Sequence, residues 1–124
     1  MRKLISAFAG SLVLLVGIGV AQAQTPQYWA AYAYDATNGR WGLAWGRTDR
    51  QATINDALSR CQTPGCQVGH IMLARCVAVA QGTQRPPGFG IANDSQTASL
   101  NALNFCRRGA AGSTCEVAAV RCGT

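Results

Sequence analysis

The chain is poor in the groups that most enzymes use. It has one histidine, His70, and one lysine, Lys3. Its acids are Asp35, Asp49, Asp56, Asp94 and Glu116. No two cysteines stand in a CxxC pair, so the spacing of a zinc site or a dithiol redox centre is missing. A Ser-His or Cys-His site needs its histidine beside a nucleophile. His70 lies inside "QVGHIML", with no nucleophile elbow or glycine-rich oxyanion loop nearby. Paired carboxylates for sugar hydrolysis would have to come from the five acids. Asp49 and Asp94 open helical segments, where a carboxylate suits the helix dipole, and Asp35 belongs to a turn. The expectation is a protein that is not an enzyme, with no cofactor and no metal.

Long apolar runs are also scarce, and the only one lies at the start. Arg2 and Lys3 precede the apolar stretch Leu4 to Val20, and Ala21-Gln22-Ala23 is a small-x-small cleavage signal. Residues 1–23 therefore read as a signal peptide removed before Gln24, leaving no retained membrane segment. The expected location is periplasmic or secreted. Residues 24–124 form one domain, small for a self-sufficient core. They carry nine arginines against five acids, a net charge of +4. The arginines are scattered except Arg107-Arg108, so no nucleic-acid-binding stripe is present.

Cysteines are what the chain does have. Cys61, Cys66, Cys76, Cys106, Cys115 and Cys122 all follow the leader, an even number in a small exported chain, and read as three disulfides. Six cysteines allow fifteen pairings. An internal repeat narrows them. "DRQATINDALSRC" (49–61) aligns without a gap on "DSQTASLNALNFC" (94–106). Equivalent bonds from helix end to strand start would be Cys61–Cys66 and Cys106–Cys115, leaving Cys76–Cys122. The competing set is Cys61–Cys76, Cys106–Cys122 and Cys66–Cys115.

Both aligned segments read as helices. Thr48 and Asn93 fall at the N-cap, with Gln51 and Gln96 three residues later, the spacing of a capping box. Ile54, Ala57, Leu58 and Cys61 then share one face. The flanks repeat as strand, strand, helix, strand, over about 27–73 and about 75–122. Asn38-Gly39 marks a hairpin between "YWAAYAY" and "RWGLAWG". The fold class expected is α+β: about six strands in a mostly antiparallel sheet, with two helices and disulfide stabilisation.

Two strands have a bulky face and a bare one. Alternation puts Trp41, Leu43 and Trp45 opposite Gly42, Ala44 and Gly46, and Phe89 and Ile91 opposite Gly88, Gly90 and Ala92. A bare face admits a close helix backbone, and the helices carry Ala52, Ala57, Ala98 and Ala102 to match. The aromatic side is either core or an exposed patch. As an exposed patch, the candidate binding surface is Tyr32, Tyr34, Trp41 and Trp45, with Arg107 and Arg108.

Taken together, Trp41-Gly42 to Gly46, Ala57-Leu58 to Cys61, Cys66-Gln67-Val68, Gly88 to Gly90, Ala102-Leu103 to Cys106 and Cys115-Glu116-Val117 resemble the bacterial domain of unknown function 4189. The resemblance covers nearly all of residues 24–124 and implies an exported two-repeat fold. It implies no catalytic residues. "GFGIA" departs from it in lacking a tryptophan. The function expected is a small disulfide-bonded binding protein engaging a periplasmic or extracellular protein, in the manner of an inhibitor or immunity protein. The alternatives are a module for cell-envelope glycans or anionic polymers, and a hydrolase using His70.

Overall fold

The computed structural model describes residues 27–83, 86–108 and 114–123. The leader expected over residues 1–23 lies outside them. The elements run β1 (Trp29–Tyr34), β2 (Trp41–Arg47), α1 (Arg50–Cys61), β3 (Gln67–Leu73), β4 (Cys76–Gln81), β5 (Gly88–Ala92), α2 (Ser95–Arg107) and β6 (Glu116–Cys122). This is the disulfide-stabilised α+β fold with two strand-strand-helix-strand units.

The strands do not run through one sheet. They divide into two antiparallel three-stranded sheets, ordered β2-β1-β3 and β5-β4-β6. The reason lies in the two-faced strands. Each sheet packs its small-residue face against its own helix: Ala31, Ala33 and Ala44 against Ala57 and Cys61 of α1, and Ala78 and Ala80 against Ala98, Ala102 and Cys106 of α2. Each bulky face then needs cover, and the two bulky faces cover each other. Leu43, Tyr32, Tyr34, Trp41 and Trp45 of the first sheet pack with Val77, Val79, Phe89 and Ile91 of the second. The order of layers is helix, sheet, sheet, helix. Trp41 and Trp45 thus belong to the rim of the inter-sheet core, each half-buried, and do not form an open platform.

Glycine makes the helix seams possible. A Cβ on Gly42 would lie 2.8 Å from the Arg60 carbonyl carbon and closer still to Ala57 and Cys61 backbone atoms. On Gly88 it would lie 2.8 Å from Cys106 Cα, and on Gly90 2.6 Å from the Ala102 nitrogen. Gly42 and Gly88 face the same helical positions, Ala57/Cys61 and Ala102/Cys106. The first unit therefore has one more residue between this glycine and its helix. The extra residue forms a bulge at Trp45–Gly46, opposite Ala30, with Gly46 at φ 75°. Matching bulges occur at Gly69 in β3 and Ala118 in β6.

The helix starts are one residue later than the capping-box spacing predicts. Asp49 and Asp94, not Thr48 and Asn93, are the N-caps. Asp49 Oδ2 accepts from the Ala52 N–H at 2.7 Å, and Asp94 Oδ1 from the Thr97 N–H at 2.8 Å. A carboxylate adds charge to the cap, so it displaces the neutral side chain before it. Gln51 does not reach back to the cap; its amide donates to Asn55 Oδ1 along the helix at 3.1 Å.

The bridges are Cys61–Cys66, Cys106–Cys115 and Cys76–Cys122, the pairing that repeat equivalence favours, and they account for all six cysteines. Three disulfides belong to an oxidising, non-cytoplasmic environment. No helix among the described residues is long and apolar enough to cross a membrane.

Candidate functional site

Because the sheets stack with an offset, each leaves an edge strand standing over the other repeat's helix. β1 crosses β4 and β5, while β2 crosses β4 and β6. Beyond β1, strand β3 overhangs β5 and α2. The space between is a groove made of two hollows of about 460 and 530 Å³. Both share Tyr32, Phe89 and Phe105, so they run end to end.

The floor is a face-to-face pair. The Tyr32 and Phe89 rings lie 3.9 Å apart and 3° from parallel, with Tyr34 tilted against Phe89 at 6.0 Å. Gly69 is needed here, because the Tyr32 ring occupies the place of a β-carbon at that position. Burial raises the Tyr32 phenol pKa above its ordinary value. One wall is β3, with Val68, His70 and Met72; the other is α2, with Asn101, Asn104, Phe105 and Arg108 at helical spacing. Met72 and Phe105 are 40% and 46% exposed, high for large apolar side chains on facing walls. The Arg108 guanidinium lies 5.4 Å over the Phe105 ring.

One end is closed by a polar lock. Asp35 is 2% exposed. It accepts from the Thr37 N–H at 2.9 Å and from the Thr37 and Thr63 hydroxyls. The Thr37 hydroxyl first, then those of Thr63 and the Thr37 amide, hold its pKa down to about 2. The lock ties the β1–β2 hairpin to the loop closed by Cys61–Cys66. Asp35 is thus engaged in structure. So are Asp49 and Asp94 as caps, and Asp56 pairs with Arg47 at 2.8 Å.

The expected surface of six residues is divided by the fold. Tyr32, Tyr34 and Arg108 line the groove, while Arg107 lines none of the hollows described. Trp41 and Trp45 lie at the other mouth of the inter-sheet space, in a separate cleft with Arg60 and Arg121. Sequence reasoning missed Phe105, Met72, Asn101 and Asn104. Phe105 left a signal, a lone aromatic on the polar side of an Ala/Leu helix. His70 shares its hollow with no serine, cysteine or carboxylate among the described lining residues. No group of three or more His, Cys, Asp or Glu that could hold a metal occurs among the described residues.

No curated protein and no solved structure matches the chain. The family model for the domain of unknown function DUF4189 matches residues 29–122, from the first residue of β1 to the last of β6. The chain belongs to the DUF4189 family.

Proposed function

We propose that the protein is an exported, non-enzymatic binding domain, and that the groove between β3 and α2 docks an extended segment of a partner protein. Export rests on the leader, cut before Gln24, and places the protein in the periplasm or outside the cell. The observation that carries the docking is the shape and chemistry of the groove. Two hollows in line, with an aromatic floor and the exposed Met72 and Phe105 on facing walls, suit successive apolar side chains of an extended chain. Asn101 and Asn104 offer amides at the spacing to engage its backbone. Sugar rings stack on open aromatic faces, but Tyr32 and Phe89 present one face each to the other, which favours a peptide over a glycan.

The test is selection from a displayed random-peptide library on the disulfide-bonded protein, with counter-screening on Phe105→Glu and Met72→Glu. Both side chains are well exposed, so the variants are expected to fold. The expected result is peptides with spaced apolar residues that lose binding tenfold or more to either variant. Absence of enrichment, or peptides indifferent to both changes, contradicts the proposal. Retention on peptidoglycan with no peptide enrichment would turn the reading to a glycan module.

A further inference from the structure

The repeat predicts a second groove, and the structure contains it. Its pseudo-symmetric site lies where β6 overhangs β2 and α1. That cleft, of about 190 Å³, is lined by Trp41, Leu43, Trp45, Arg60, Ala119 and Arg121. The gap-free helix alignment puts Arg60 in the place of Phe105. The strand registers and matching bulges put Arg121 in the place of Met72 and Ala119 in that of His70. Met72 and Phe105, the two exposed apolar residues on the facing walls of the first groove, are therefore both replaced by arginines in the second. One architecture carries two opposite chemistries.

The cationic groups are held ready. The Arg60 guanidinium lies 4.4 Å over the Trp45 ring, and its Nη1 donates to the Leu43 carbonyl at 3.0 Å. Arg121 donates to its neighbour's carbonyl, Val120 O, at 2.9 Å and is exposed. No carboxylate lines the cleft among the described residues. A guanidinium keeps five donors in a planar fork, so hydrogen-bonding capacity remains on both. The volume suits one side chain, not a whole small molecule. The strands at this mouth, β2 and β6, each end their sheet, so an extended segment can lie along the edge; the Leu43 and Val120 carbonyls there already accept from the two arginines, which leaves the remaining guanidinium donors to make the contact.

The geometry points to the Trp41–Trp45 cleft as a second docking site, which takes an acidic side chain of an extended peptide segment between Arg60 and Arg121. It stands apart from the apolar groove, and either can fail without the other.

The probe is fluorescein-labelled hexaglutamate, read by anisotropy and by the protein's tryptophan emission at low and high salt, with hexaglutamine as control. The expected result is saturable binding that shifts tryptophan emission and weakens with salt. Arg121→Glu and Arg60→Met should each weaken it tenfold or more. Arg60→Met keeps an apolar stem over Trp45, so loss there cannot be assigned to lost packing. Circular dichroism and non-reduced mass check the fold of both variants. Equal affinity for hexaglutamine, an unmoved tryptophan spectrum, or wild-type affinity in both folded variants overturns the assignment. Tighter binding of polygalacturonate than of hexaglutamate overturns it in favour of a carboxylated glycan.

Discussion

Replacing Gly88 by alanine tests the seam that lets this fold be thin. The added Cβ would fall 2.8 Å from Cys106 Cα and nearer still to the Cys106 nitrogen and Ala102 oxygen. All three are helix backbone and cannot rotate aside. Ordinary contact starts near 3.4 Å, so α2 would have to withdraw by about 1 Å, a gap that forfeits a quarter to a half of the dispersion well along the seam. The helix is not free to go, since Cys106 is bonded to Cys115. Overpacking of this kind costs about 1–3 kcal/mol. In a domain of this size that lowers Tm by roughly 5–20 °C. The assay is thermal unfolding with the disulfides intact, read by circular dichroism. Gly46→Ala is the contrast: its Cβ would meet only Gly123 Cα at 3.6 Å, but φ is 75°, so the cost is conformational, about 1 kcal/mol. A Gly88→Ala protein that melts within 2 °C of wild type would refute the close seam.

Three further outcomes are expected. The oxidised protein should be six hydrogens lighter than the reduced form, with a first residue of Gln24 and no alkylated thiol by intact mass. Loop length should rank the bridges: replacing the Cys76–Cys122 pair by alanine, at a sequence separation of 46, should cost about 4 kcal/mol in urea unfolding, and Cys61–Cys66, at a separation of 5, about 2 kcal/mol. The Asp35 carboxyl has its pKa lowered to about 2 from an ordinary value of 3.8. Its contribution is thus complete above pH 3.8 and fades as pH falls toward 2. Asp35→Asn should melt lower than wild type at pH 7, and the two curves should converge only as pH falls to about 2.

Much of the fold was legible because it is local or repeated. The gap-free match of 49–61 on 94–106 located both helices and, through equivalence, the disulfides. The bare faces at Gly42 and Gly88 announced where helix backbones would sit. Alternation says which side chains share a face, but not what that face meets. For that reason one sheet was expected where two stack, and the tryptophans could be read as core or platform. The bulges at Gly46, Gly69 and Ala118 left no clear mark in the alternation. The caps shifted by one residue because the spacing rule weighs a Thr or Asn without asking whether an aspartate follows. The grooves were least visible. Phe105 and Arg60 align with each other, yet their importance appears only when β3 and β6 overhang the opposite helices.

The most direct test of the proposed function places a photoreactive phenylalanine analogue at position 105 of the full chain and irradiates it in living cells. The account predicts a covalent adduct with one protein, joined through an extended apolar segment and lost when Met72→Glu is added. An adduct unaffected by Met72→Glu, or no protein adduct while the domain is retained on peptidoglycan, would contradict it.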